Sequence, residues 1–228
     1  MARLIAFGCS MTYGHCLPSR DLAWPSQLSK VLGLNCVNMS QVGSSNKQIW
    51  HDLINFDFRQ DDVVFVLWSY PSRSCVFKNR NQSISIGHWL IEESQLSKIF
   101  YDKFYTKYDI EMQSKLFVSH ANLFLADKKI TIYNLCIEKS HKMLFELGST
   151  HIPLYFGSYE KLFPKADDNL HPGVDAHVMF SRDILMHLGQ DEYKHIQKKD
   201  PMSLLERLSQ PFDFKNFNEQ IKKLIKRL

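Results

Sequence analysis

Three residues lying far apart in this 228-residue sequence have the chemistry of an activated nucleophile: Ser10, Asp168 and His171. Ser10 lies in the run Phe7-Gly8-Cys9-Ser10-Met11-Thr12-Tyr13-Gly14, directly after the apolar residues Leu4, Ile5 and Ala6. A serine set between glycines where a strand ends sits on a tight turn, its hydroxyl exposed beside backbone N–H groups free to hold an anion. A serine hydroxyl is a poor nucleophile unaided and needs a neighbouring base, most often a histidine steered by a carboxylate. The segment Asp168-Asn169-Leu170-His171 puts both on one short turn, where the carboxylate reaches the imidazole nitrogen facing away from the serine. Read alone, the same residues describe a strand-to-loop turn and a polar loop capping the next helix. Cys9 is a second candidate nucleophile. Neighbouring residues on an extended chain point to opposite sides, so only one of Cys9 and Ser10 can face the histidine.

These residues need elements to bring them together. Short apolar runs predict strands over Arg3–Phe7, Leu34–Asn38, Val63–Trp68 and Ile152–Gly157. Helical stretches alternate with them, among them Lys47–Phe56 and a last helix, Val174–Leu188, set up by Pro172 and Gly173. That alternation predicts an α/β fold with a parallel sheet covered on both faces. In such sheets ligands collect beyond the carboxyl ends of the strands, where Ser10, Gly43 and the segment Ser69–Arg73 all fall. The region 92–148 reads as mostly helical. One apolar face runs through Leu96, Ile99, Phe100, Phe104 and Tyr108, and a similar pattern continues through Leu116, Leu123 and Phe124. The run Ile130-Thr131-Ile132-Tyr133 suits a short strand or a helix; a helix over Asp127–Leu147, stopped by Gly148, is the preferred expectation. Residues 74–90 read as a long polar loop overhanging the site.

Taken together, the two ends resemble the SGNH (GDSL-type) hydrolases. That family opens with a strand followed by G-D-S-x-T-x-G and closes with D-x-x-H-P, in the chain order found here. The first block reads Gly8-Cys9-Ser10-Met11-Thr12-Tyr13-Gly14, with Cys9 in place of the usual Asp, and the last reads Asp168-Asn169-Leu170-His171-Pro172. The resemblance spans residues 3–188 in layout and is carried by four short blocks. It implies a three-layer α/β/α sandwich with a mainly parallel, flavodoxin-like sheet. It also implies Ser10 as nucleophile, His171 as base and Asp168 as the group that orients it.

The family's second block is a glycine after the second strand whose N–H joins that of the serine in binding the oxyanion. Gly43, in Gln41-Val42-Gly43-Ser44-Ser45-Asn46, is the matching residue; glycine lets the backbone approach a ligand closely. Asn46, within a turn of it, can donate a side-chain N–H. The third block, normally G-x-N-D, is missing. The third strand runs instead into Trp68-Ser69-Tyr70-Pro71-Ser72-Arg73, with Ser69 or Tyr70 near the place of the family's asparagine donor. Removing one such donor typically costs about a hundred- to a thousandfold in turnover. Either Ser69, Tyr70 or Asn46 replaces it, or turnover is slow.

Composition narrows the field further. Hydrophobic residues make up 44% of the chain, enough for one well-buried core at this length. The formal net charge of +4 is a mild excess that gives no ground for a nucleic-acid partner. Five cysteines is an odd number, in no spacing that suggests a metal site or a disulfide framework. With no leader at the N-terminus and no transmembrane segment, a soluble, cytoplasmic protein is expected. Residues 189–228 form a charged extension with an amphipathic basic tail, expected to pack on the domain or to build a homo-oligomer.

The family resemblance implies a serine esterase acting on acetyl or short acyl esters, often on carbohydrate, with no metal or organic cofactor. Trp68, Tyr70 and Trp89 are candidates for stacking on sugar faces, and Arg73 for meeting an anionic substrate group. Two other readings stay open: acyl transfer to a sugar hydroxyl by the same residues, and a binding protein that has kept the fold without the activity.

Overall fold

Strand β1 (Arg3–Phe7) sits inside the molecule with both of its faces covered. Leu4 and Ala6 pack into one buried cluster and Ile5 and Phe7 into a second, the period-two alternation of a strand between two helical layers. The computed structural model describes residues 2–139 and 151–188. Around β1 the chain builds a five-stranded parallel sheet from β2 (Asn35–Asn38), β3 (Val63–Trp68), β6 (Thr131–Cys136) and β7 (His151–Tyr155), in the order β2-β1-β3-β6-β7. This is the flavodoxin-like order, and the three-layer α/β/α architecture expected from sequence is the one observed.

Helices α2 (Trp24–Leu32), α6 (Phe156–Leu162) and α7 (Val174–Leu188) cover one face, where Trp24, Phe65, Phe156 and Phe180 are fully buried. Helices α3 (Asn46–Ile54) and α5 (Lys107–Asp127) cover the other, over Val64, Val66 and Trp68. A short helix, α1 (Ser10–Tyr13), follows β1 directly, and α4 (Gln95–Ile99) precedes α5. The entry to the central strands is pinned by Arg3, whose fork donates to Asp62 at 2.8 and 2.6 Å. Among the described residues no helix is long and apolar enough to cross a membrane.

Three expectations need correction. The preferred helix over 127–147 is wrong at its start. Helix α5 ends at Asp127, Lys129 turns the chain at φ 59°, and the β-branched run Ile130-Thr131-Ile132 leads into strand β6 beside β3. The remainder of that expected helix, with Gly148, lies outside the described residues, as does the extension 189–228. Second, the apolar stripes assigned to 92–124 do not face the core: Phe104, Tyr108, Leu116 and Leu123 are exposed. Helix α5 buries Ile110, Val118, Ala121 and Leu125 instead. Third, residues 74–90 are not a loop but a hairpin, β4 (Ser74–Asn79) with β5 (Gln82–Ile86), followed by a short turn of helix at His88–Leu90.

Candidate active site

Ser10 begins α1 just past the carboxyl end of β1, and the turn that puts it there depends on Gly8. A Cβ at Gly8 would lie 2.1 Å from Thr12 Oγ1 and 3.2 Å from the Leu67 carbonyl oxygen, so only glycine lets the chain bend this close to β3. Cys9, which precedes the helix, is fully buried among Met11, Trp24 and Phe65, and Ser10, whose hydroxyl is expected from sequence to be exposed, is itself buried at 4% exposure. The thiol is core material, which leaves the hydroxyl as the nucleophile candidate of the pair. Ser10 Oγ has no hydrogen-bond partner among the described residues, and its backbone N–H is equally unengaged.

Asp168 and His171 meet on one turn between α6 and α7. His171 Nδ1 lies 2.5 Å from Asp168 Oδ2, while Asp168 Oδ1 accepts the backbone N–H groups of Leu170 and His171, each at 3.0 Å. Asn169 makes this turn possible by standing at φ 56°. Burial pushes the Asp168 carboxyl up, but the His171 N–H, the imidazole, the Leu170 N–H and the Cys16 thiol together outweigh it. The carboxyl is held well below the usual carboxylate range, so Asp168 is a fixed anion facing Nδ1. Nε2 of His171 has no protein partner among the described residues.

His15 touches both segments. Its backbone N–H donates to the Ser10 carbonyl at 3.1 Å, and its ring meets that of His171 edge to face, centroids 4.9 Å apart. The residues just past the helix that begins at Ser10 therefore pack against the Asp168–His171 turn. Ser10 Oγ and His171 make no hydrogen bond with each other, an arrangement common in ligand-free sites whose catalytic bonds tighten on substrate binding.

The second strand ends in the loop carrying Gly43, which stands at φ 78° with its N–H unengaged. Trp89, on the turn after the hairpin, approaches to 3.6 Å of the position a Gly43 Cβ would take, and Ser85 Oγ to 3.7 Å. The segment expected to overhang the site is a hairpin that reaches the Gly43 loop. Past β3, Asn46 accepts the Ser69 N–H at 2.7 Å and donates to Ser114 Oγ at 3.2 Å. Asn46 is 2% exposed and Ser69 is fully enclosed, and the Asn46 side chain is engaged at both its oxygen and its nitrogen.

Arg73, like Tyr70, Pro71 and Ser72 of the same loop, is half-buried. Its guanidinium lies over the Tyr70 ring at 5.0 Å and the Trp89 ring at 4.5 Å, and Nη1 donates to Ser69 Oγ at 3.2 Å. It has no carboxylate partner among the described residues. Burial, with Glu160 and Glu138 adding, pushes the Tyr70 phenol up to about 12, so it stays neutral. A hollow of about 330 Å³ opens beside Tyr70, bounded by Ile137, Gly157 and Ser158. A larger one, about 930 Å³, lies between α3 and the hairpin and includes none of Ser10, Asp168 and His171. Trp68 is corrected as a sugar-stacking candidate: its ring is fully buried and its Nε1–H donates to Asn134 Oδ1 at 2.8 Å. His15 and Cys16 escaped the sequence reading, although a His-Cys pair directly after Gly14 is the available signal.

No family model matches the sequence, and no curated protein matches it either. Solved structures do match the fold. A crystal structure of TesA superposes with a TM-score of 0.56 at 11% identity, covering 82% of this chain and 98% of that one. A carbohydrate esterase whose active site displays divergent catalytic and non-catalytic binding functions gives 0.55 at 10% identity, over 83% of this chain and 65% of that one. A two-domain esterase active on acetylated mannans, crystallised with mannopentaose, gives 0.50 at 10% identity, over 84% and 50%. This chain therefore has the SGNH hydrolase fold.

Proposed function

We propose that the protein is a serine ester hydrolase. Ser10 attacks the ester carbonyl, His171 takes its proton through Nε2 and returns it to the leaving alcohol, and Asp168 fixes the imidazole through Nδ1. Water then attacks the acyl-enzyme and releases the acid. The N–H groups of Ser10 and Gly43 face the tetrahedral oxyanion. Arg73, carried on the loop after β3, supplies the third contact in place of the missing asparagine. The observation that carries this reading is the Asp168–His171 hydrogen bond, packed against His15 just past the helix that begins at Ser10. Acetyl or short acyl esters on carbohydrate are the proposed substrates, supported by the two carbohydrate esterases among the fold neighbours and by the exposed Trp89 beside Gly43.

The test is hydrolysis of a chromogenic acetate together with labelling by a fluorophosphonate. Wild type should turn over the acetate and take up one label at Ser10. Both Ser10→Ala and His171→Ala should lose activity to a similar degree, because residues that act as a unit are strongly non-additive. Equal rates in wild type and Ser10→Ala end the proposal. Acyl transfer is read from the same assay with a sugar acceptor added: an acylated sugar in place of free acid identifies a transferase.

A further inference from the structure

One cluster of ligating side chains lies beside the proposed triad, and two of its three members play no part in the triad's chemistry. His15, Cys16 and Asp168 each offer one ligand atom, a ring nitrogen, a thiol sulfur and a carboxylate oxygen, all within 4.8 Å of one another. The consecutive residues His15 and Cys16 reach the same carboxylate because the chain bends sharply at Cys16. That residue stands at φ 60°, in the left-handed region that residues other than glycine seldom occupy. All three residues are partly exposed, so an ion from solvent can reach them. Three of the other cysteines differ: Cys9, Cys75 and Cys136 are buried.

From this juxtaposition we propose that His15, Cys16 and Asp168 form a binding site for a zinc-class divalent ion, and that the bound ion switches the enzyme off. Nitrogen, sulfur and oxygen together are the donor set of zinc and cobalt, and unlike that of magnesium or calcium. Three protein ligands leave a fourth tetrahedral position for water. On binding, the Cys16 thiol gives its proton to solvent and the thiolate takes the metal. Nothing is oxidised or reduced. The carboxylate oxygen that the metal needs is the one engaged by His171, because the other already accepts two backbone N–H groups. Coordination therefore takes Asp168 away from the His171 imidazole. The His15 ring, now fixed to the metal, remains against the His171 ring. An imidazole without its orienting carboxylate no longer presents Nε2 as a base.

The inhibition half of this inference rests on the proposed esterase reading; the binding half does not. Binding is read with Co2+ on the full-length chain, whose thiolate ligation gives a near-ultraviolet charge-transfer band. Wild type and the inactive Ser10→Ala variant should both bind one equivalent of Co2+ with that band and lose it when Zn2+ is added. Cys16→Ser should show no band, and His15→Gln should bind about tenfold or more weakly. Inhibition is read as each variant's rate with Zn2+ relative to its own rate in chelator. It should collapse for wild type and hold for Cys16→Ser. A cobalt band that survives in Cys16→Ser, or no band in wild type, overturns the site even if the chain proves to be no esterase. Zinc bound at Cys16 without loss of relative rate in an active enzyme overturns the switch.

Discussion

Arg73 carries the largest consequence at the scale of single residues. The third block of the SGNH pattern lacks its asparagine, and of the three residues offered in its stead, Ser69, Tyr70 and Asn46, the first and last are enclosed and bonded to neighbours. Arg73, held between two rings and bonded to Ser69 Oγ, is the replacement we propose for that donor. Arg73→Ala should lower kcat on a neutral acetate by about a hundredfold, the typical cost of one oxyanion donor, with a smaller change in KM. Ser69→Ala should act in the same direction but more weakly, because it frees the guanidinium without removing it. Steady-state kinetics on the pair decide between a charge that serves the transition state and one that only binds substrate. Sequence could name Arg73 but not rank it above Ser69, since rank depends on which side chain reaches the cleft.

Among the elements, the loop between β2 and α3 is the most exacting. Gly43 stands at φ 78°, and Trp89 leaves room for a methyl group at ordinary contact distance, so the constraint there is conformational and not steric. Gly43→Ala should destabilise the fold by about 1–2 kcal/mol, the cost of a left-handed backbone for an L-residue, measured by urea unfolding. It should also reduce turnover by more than the stability loss explains, if the Gly43 N–H faces the oxyanion. The elements show where local sequence is legible. Strands β1 and β3 have the predicted boundaries and helix α7 the predicted start, because continuous apolar runs and a Pro-Gly lead-in leave little choice. Strand β6 is ambiguous in sequence because Ile130–Tyr133 is short enough to suit either state. Its partner β3, far away in sequence, decides in favour of the sheet. The apolar stripe along α5 misleads for a related reason. Several registers of that helix are apolar, and only the shape of the sheet beneath it selects Ile110, Val118 and Leu125 for burial.

For the whole molecule, one contact ties the beginning of the fold to its end. His177 of α7 is buried, and its Nδ1 accepts the backbone N–H of Trp24 at the start of α2, at 3.1 Å. Burial, with the His171 charge adding, pulls its pKa down to about 3 from 6.5. A base whose folded pKa lies below its unfolded one binds more protons when unfolded. Stability should therefore fall as pH drops from 6.5 towards 3, with a slope approaching one proton. Asp168 adds a separate window: its contribution is present above 3.8 and declines below that pH. Denaturant midpoints measured between about pH 7 and pH 4 should shift less for His177→Gln than for wild type, although the variant starts less stable.

The sequence by itself determined the α/β class, the alternation that makes a parallel sheet, and the residue types of the site: a serine after the first strand, a carboxylate and imidazole three residues apart, a glycine after the second strand. Those come from local rules, the period of apolar residues and the backbone that glycine permits. Only the tertiary structure decided which of them share a space. It enclosed Trp68, Ser69 and Asn46, set Arg73 half-buried against the Tyr70 and Trp89 rings, and brought His15 and Cys16, just past the Ser10 helix, to the Asp168 carboxylate. Exposure and long-range proximity are set by how whole layers pack on one another, and no window of neighbouring residues contains that information.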